Sequence, residues 1–258
     1  MPVDQVEVQT LLFDMDGTLI SSTAPLSAVW VEFAKQYNLD LDDLLKNSHG
    51  KRTSDNLEER IPGMSHEQAL AEAERFEARI IDISEENRAK AQGEITPSNP
   101  QGTLVALPGV KDLLTQVNAG RKENPQRRAG WAICTSATGD YARKAFMSTR
   151  AVDEEPEVFV SANDVTKGKP EPDPYLKGAE LTHSDIKNCI VVEDAPAGVL
   201  AGKRAGARVL ALKTTHDGQR MWDNGADWLV QDLSKVSARW EGDKLILTID
   251  SEEKPKSS

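Results

Sequence analysis

Five short apolar runs punctuate the chain: Gln9 to Phe13, Trp131 to Cys134, Glu157 to Val160, Cys189 to Val192 and Val209 to Leu212. Most are separated by segments of helical periodicity. Val110, Leu113, Leu114 and Val117 share one helical face, and Tyr141, Ala142, Ala145 and Phe146 share another. Strands that alternate with helices pair in parallel, because a parallel connection needs a long crossover that a helix supplies. The pattern predicts an α/β fold built on a doubly wound parallel sheet.

The first and second runs are more than a hundred residues apart, and that interval carries helical patterns without a strand signal. Leu26, Val29, Trp30, Phe33 and Tyr37 keep to one face, and Ser65 with Gln68 forms a capping box ahead of a long Glu-, Ala- and Arg-rich segment. An all-helical insert is expected over residues 21–105, with Ile95 to Pro108 as the return linker, because three prolines and a glycine fall there. The core is then discontinuous, 1–20 and 106–250. Ala238 to Ile249 reads as a β-hairpin turning at Glu241, Gly242 and Asp243, and 251–258 as a disordered tail.

The 258 residues hold 31 Lys and Arg against 42 Asp and Glu, a formal charge of −11. That balance argues against nucleic acid or an anionic membrane as the main partner, so an anionic ligand must be attracted locally. No apolar run approaches the ~18 residues of a membrane span, and Met1 to Thr10 lacks a basic start followed by an apolar stretch. The expectation is a cytoplasmic protein, acting as a monomer on a small molecule. Cys134 and Cys189 lie inside apolar runs and read as reduced core residues.

Chemistry-bearing residues collect at the ends of the predicted strands. The first run ends in Asp14, Met15, Asp16, Gly17 and Thr18, which projects two carboxylates into a turn at the edge where open α/β sheets bind ligands. Read alone, Asp16 can instead cap that turn with Gly17. Thr135 and Ser136 end the second run, where hydroxyls and amides can hold phosphate oxygens or simply cap the next helix. Lys169 sits in the rigid stretch Lys167, Gly168, Lys169, Pro170, Glu171, Pro172, Asp173, Pro174. Glu193 and Asp194 end the fourth run, with Asp194 also placed to cap a helix that begins near Pro196. Gly198, Gly202 and Gly206 give that helix a smooth stripe for packing on the sheet, and Gly206 suits its C-terminal cap.

In their order these pieces resemble the four signature regions of the haloacid dehalogenase superfamily. His49, Gly50, Lys51, Arg52 and Thr53, the GKPEPDPYLKG stretch and EDAPAGVLAGKRAG narrow the resemblance to glycerol-3-phosphate and 2-deoxyglucose-6-phosphate phosphatases. The resemblance implies a Rossmann-like core with a helical cap, and a magnesium-dependent phosphatase acting on a small phosphate ester. Asp14 would be the nucleophile and Asp16 the general acid and base. Thr135, Ser136 and Lys169 would hold phosphate, and His49, Gly50 and Arg52 would meet the substrate from the cap. Magnesium would take the carboxylates of Asp14 and Asp194, helped by Glu193, and the backbone carbonyl of Asp16. Like charges 4 Å apart repel by ~4 kcal/mol at an effective dielectric near 20, so one lysine cannot offset such a cluster and a dianionic phosphate.

Competing motifs lose their anchors. Gly50, Lys51, Arg52 and Thr53 lack the upstream glycine of a phosphate loop, since Leu45 stands there, and neither GxSxG nor GxGxxG occurs. Arg121, Lys122, Arg127 and Arg128 sit among loop-forming residues and read as a solvated cluster. Dehalogenases and phosphonate hydrolases of the superfamily lack the second carboxylate that Asp16 supplies. A sugar phosphomutase and a catalytically silent binding protein remain as alternatives on the same fold. Arg52 is expected to read the organic part of the ligand, against the simpler pairing with Asp55 or Glu59 on its own helix.

Overall fold

A computed structural model of the chain describes residues 3–124, 127 and 129–254. Strands β1 (Val3–Val8) and β2 (Thr10–Phe13) open it, followed by the short β3 (Ile20–Ser21). Four helices come next, α1 (Thr23–Tyr37), α2 (Leu41–Asn47), α3 (Thr53–Arg60) and α4 (His66–Lys90), and then β4 (Val105–Ala106). The alternating part runs α5 (Val110–Glu123), β5 (Trp131–Cys134), α6 (Gly139–Ser148), β6 (Phe159–Val160), α7 (Asp173–Leu181) and β7 (Cys189–Glu193). It continues through α8 (Pro196–Ala205), β8 (Arg208–Leu212), α9 (Gly218–Asp223) and β9 (Trp228–Val230) to β10 (Val236–Glu241) and β11 (Lys244–Asp250).

Among the described residues six strands form a parallel sheet in the order β6-β5-β2-β7-β8-β9. All residues of β2, β5 and β7 are buried, as they must be when helices cover both faces. This is the doubly wound α/β core expected from the apolar runs. The edge strand β9 extends it, from a run of three residues too short to signal a strand. No described helix is long and apolar enough to cross a membrane.

The four helices α1 to α4 pack on one another around aromatic side chains, in an apolar cluster continuous with that of the sheet. Phe76 packs on Trp30 and Phe33 with ring centroids 4.4 and 4.9 Å apart. The capping box at the start of α4 is formed, with Gln68 N–H on Ser65 Oγ and Ser65 N–H on Gln68 Oε1 at 3.2 and 2.9 Å. Entry and exit of this helical segment are tied together, because β3 and β4 pair antiparallel, Ile20 with Ala106 and Ser21 with Val105.

The expected C-terminal hairpin is present as β10 and β11, but β1 joins β11 to make a three-stranded antiparallel sheet, β1-β11-β10. The expected tail needs a correction at its start. Ser251 is buried, and its hydroxyl exchanges hydrogen bonds with the backbone of Leu229. Glu252 N–H donates to Leu229 O, and its carboxylate meets Lys213 at 2.8 Å. Residues 255–258 lie outside the described residues, as does Arg128 of the basic cluster. Arg121 and Arg127 are structural: Arg121 pairs with Glu157 at 2.9 Å, and Arg127 lies 4.7 Å over the Trp240 ring.

Helix α5 rests on β10 through Gly120, where a Cβ would overlap the Trp240 indole, whose Nε1–H donates to Val117 O at 2.9 Å. Alanine in place of a helical glycine gains about 0.5–1 kcal/mol from the backbone, whereas overpacking costs about 1–3 kcal/mol. Gly120→Ala should therefore lower the urea midpoint of unfolding, and an unchanged or higher midpoint would show that Trp240 moves aside freely.

Candidate active site

In a parallel sheet every strand presents its carboxyl end to one edge. The chain leaves β2 toward β5 and β6, then returns to the other side of β2 for β7, β8 and β9, so the direction of winding reverses between β2 and β7. Asp14 follows β2, Glu193 ends β7 and Asp194 follows it, while Thr135 follows β5. Carboxylate oxygens of Asp14, Glu193 and Asp194, all buried, lie within 4.8 Å of one another.

Lys169 is buried among them, with Nζ at 2.5 Å from Asp14 Oδ1 and 2.7 Å from Glu193 Oε1. Glu193 also receives the Tyr175 hydroxyl at 2.8 Å, and its second oxygen accepts the N–H groups of Asp194 and Ala195, both at 2.9 Å. A carboxylate has about four acceptor positions, so Glu193 is filled by protein donors and acts as the anchor of Lys169 and of the turn after β7. Its seat requires Gly198, where a Cβ would overlap the Glu193 carboxylate. That glycine, read from sequence as a packing residue of α8, serves the site as well.

Asp194 is held by hydroxyls, Thr18 Oγ1 on Oδ1 at 2.9 Å and Thr215 Oγ1 on Oδ2. Gly17, at φ +90°, brings the turn after β2 so close that a Cβ would overlap the same carboxylate. Asp16 accepts the Tyr141 hydroxyl on Oδ1 at 2.8 Å. Thr135 is buried with its Oγ1 accepting Ala137 N–H at 3.1 Å, and Ser136 donates its hydroxyl to Gly50 O at 2.9 Å.

Burial dominates the electrostatics. It pushes the Asp14 carboxyl well above the usual carboxylate range, against the pull of Lys169 and with the push of Glu193 and Asp194. Burial and the Glu193 charge move Asp194 up to about 7. Burial also raises Asp16, partly offset by hydrogen bonds from Ser22 and Tyr141. For Lys169 burial opposes the charge, yet Asp14 and Glu193 overcome it and hold the ammonium above the ordinary lysine value. Three carboxylates against one ammonium leave an excess of negative charge that a hard, oxygen-liganded cation would neutralise.

The helical segment covers this edge. His49, Gly50 and Glu77 share one pocket with Asp14, Asp16 and Ser136. His49 packs edge-on against His216, centroids 5.7 Å apart, and burial, with the neighbouring His216, pushes its pKa down to about 4. Arg52 donates to Val165 O and Thr166 O at 2.7 and 3.1 Å, so its guanidinium ties the helical segment to the loop that carries Lys169. Among the described residues neither Asp55 nor Glu59 forms an ion pair with it, Glu59 pairing instead with Lys51 and Arg60. Glu77, on α4 and only 3% exposed, accepts the N–H of Thr138 at 3.0 Å together with the Thr138 hydroxyl, and Thr53 Oγ1 lies 3.3 Å from its other oxygen.

Sequence reasoning passed over Tyr141, Tyr175, Thr215 and Glu77. Tyr141 sits on the apolar face of α6, and Glu77 in a segment rich in glutamate, so residue type and spacing single out neither. Tyr175 directly follows Pro174 in the GKPEPDPYLKG stretch, where its side-chain role has no local signature.

Residues 8–206 match the family model of haloacid dehalogenase-like hydrolases. Glycerol-1-phosphate phosphohydrolase 1 of Saccharomyces cerevisiae is 33% identical over 239 residues, covering 90% of this chain and 85% of the yeast protein. 2-Deoxyglucose-6-phosphate phosphatase 2 of the same yeast is 29% identical over 243 residues, covering 90% and 91%. Among solved structures, a hydrolase from Pseudomonas syringae is similar with a TM-score of 0.68 at 26% identity, over 87% of this chain and 93% of that one. The chain belongs to the haloacid dehalogenase-like hydrolase family. With phosphatases aligned along nine-tenths of its length, it is a phosphoric monoester hydrolase.

Burial pushes the Glu77 carboxyl from its ordinary 4.5 to about 7. Between those values the folded chain keeps a proton that the unfolded chain has released, so stability falls as pH rises through the window and levels off above it. At 1.36 kcal/mol per unit the loss amounts to about 3 kcal/mol. Urea unfolding of wild type and Glu77→Gln on both sides of the window should show a pH-dependent loss that is smaller in the variant by about that amount, the remainder coming from other raised carboxyls such as Asp194; parallel curves would disprove it.

Proposed function

We propose that the chain is a magnesium-dependent phosphatase of small polyol or sugar phosphates, of the glycerol phosphate or 2-deoxyglucose-6-phosphate type, working through an aspartyl-phosphate on Asp14. The observation that carries this reading is Asp14 itself: a buried carboxylate at a strand tip, between Lys169 and Asp194, with Asp16 two residues on. The two yeast relatives act, by name, on glycerol-1-phosphate and 2-deoxyglucose-6-phosphate.

The donor set suits magnesium, which prefers oxygen ligands in near-octahedral geometry. Asp14 and Asp194 would hold it by their carboxylates, with the backbone carbonyl of Asp16. Glu193, its acceptor positions filled, supports the site through Lys169. Bound there, the ion supplies positive charge against the phosphoryl oxygens.

Lys169, Thr135 and Ser136 hold the phosphoryl group through the lysine ammonium, the Thr135 hydroxyl and the Ser136 amide, the Ser136 hydroxyl being engaged by Gly50 O. An Asp14 oxygen attacks phosphorus while the ester oxygen departs with a proton from Asp16, whose raised pKa favours the protonated form that step needs. Asp16 then accepts a proton from the water that hydrolyses the aspartyl-phosphate, releasing inorganic phosphate. Residues 21–105 act as a cap that excludes bulk water, with His49 and Gly50 on its inner face and Arg52 tying it to the Lys169 loop. The buried thiols of Cys134 and Cys189 suit the reducing cytoplasm.

Asp14→Asn should abolish steady-state phosphate release from sugar and polyol phosphates while leaving the circular dichroism spectrum unchanged, and chelation of magnesium should stop the wild type. Near wild-type hydrolysis by Asp14→Asn would refute the covalent route. Asp16→Ala should lose about 10²- to 10⁴-fold in single-turnover phosphorylation by an alkyl phosphate, and less with p-nitrophenyl phosphate, whose leaving group needs little protonation. Equal losses on both would make Asp16 a structural or metal-side residue.

A further inference from the structure

Polar groups on the cap side of the pocket differ in how much hydrogen-bonding capacity they retain. Asn56 is spent: its amide donates to Ser48 O and Arg52 O, both at 3.0 Å, and its oxygen accepts Arg60. The Ser136 hydroxyl is spent on Gly50 O. Capacity remains at the His49 ring, which packs on His216 and makes no hydrogen bond among the described residues, and at two further groups. The Ser48 hydroxyl is buried with no partner, and Glu77 fills one oxygen with both donors of Thr138 while its other oxygen has only the long contact from Thr53 Oγ1, at 3.3 Å. Both residues line the pocket that contains Asp14 and Asp16, beside an apolar wall that includes Trp30 and Leu26. Lys51, the cation on the same pocket, is paired with Glu59 at 3.4 Å.

We propose that Glu77 is a specificity-determining residue, accepting a hydrogen bond from a hydroxyl on the organic part of the substrate and repelling substrates that carry a second anionic group. This rests on the phosphatase reading above and names the substrate class more closely: phosphate esters of neutral, hydroxylated small molecules. The physical basis is asymmetric. A buried carboxylate oxygen short of donors gains from a hydroxyl and is left unpaired by an analogue that lacks one, which is the kind of discrimination that binding achieves best. A substrate carboxylate at the same place meets a like charge where little water screens it. Trp30 and Leu26 offer the C–H faces of a short polyol an apolar surface. The hold of Thr138 on Glu77 orients the carboxylate, and it is also the contact through which the same residue could serve only as a latch between cap and core.

The two roles separate in one set of measurements, made at a pH above the titration of Glu77. With magnesium present, kcat/KM is determined for glycerol 1-phosphate, for propane-1,3-diol monophosphate, which lacks the central hydroxyl, and for 3-phosphoglycerate, which carries a carboxylate. Wild type should favour glycerol 1-phosphate over each analogue by at least about tenfold. In Glu77→Gln the preference over 3-phosphoglycerate should shrink by about tenfold, with an absolute gain on the acidic substrate that loss of a latch cannot produce. A parallel fall on all three substrates, with the ratios preserved, overturns the proposal and leaves Glu77 a latch. Absence of discrimination in the wild type overturns it without recourse to any variant. Failure of the wild type on p-nitrophenyl phosphate as well would instead sink the phosphatase reading beneath it.

Discussion

A single ammonium group, that of Lys169, sits between carboxylates delivered by two neighbouring strands, and the geometry of the site depends on it. Removing one partner of such a buried ion pair costs about 3–5 kcal/mol, because the remaining charge is stranded away from water. Lys169 has two partners, and one of them, Glu193, is itself saturated by Tyr175 and the amides that follow β7. The chain of contacts runs from the turn after β2, through the lysine loop, to the start of α8. It leaves Asp14 and Asp194 as the carboxylates with capacity for something other than protein.

Glycines set the distances at which this works. At Gly17 and Gly198 the backbone passes so near the carboxylates of Asp194 and Glu193 that no side chain fits. Hydroxyls rather than cations complete Asp194, through Thr18 and Thr215, so that side of the cluster has no cationic partner of its own. A site with one buried cation and three carboxylates is built for a positive partner before it is built for a phosphate.

Beside the edge-on packing of His49 on His216, three sets of hydrogen bonds reach from the core to the helices of this segment or the turns between them, each carried by a different chemistry. Ser136 reaches the Gly50 carbonyl, Arg52 reaches the carbonyls of Val165 and Thr166, and Glu77 reaches the amide and hydroxyl of Thr138. Arg52 is thus committed to backbone carbonyls of the loop that carries Lys169. The segment enters and leaves through the paired β3 and β4, so its position over the strand ends is set by those contacts and that ribbon.

Periodicity made the parallel strands legible, because a strand buried on both faces must be apolar throughout, and it made the helical interval legible through faces such as that of Leu26, Val29, Trp30 and Phe33. The paired aspartates, Thr135 and Asp194 were legible as strand-end residues, since a doubly wound sheet sends all its strand ends to one edge, and Lys169 as the lysine of a proline-stiffened loop. Strand β1 was not, because its valines are interrupted by Asp4, Gln5 and Glu7 and its partner, β11, lies at the far end of the chain. The same limit applies within the site. Lys169 meets Asp14 across 155 positions, Tyr141 meets Asp16 across 125, and Arg52 meets Val165 across 113. Local patterns specify which way a side chain faces along its own element. Which oxygen a tyrosine, an arginine or a buried glutamate then meets is settled when distant elements pack, since each buried polar group must find its partner among whatever that packing brings within 3 Å.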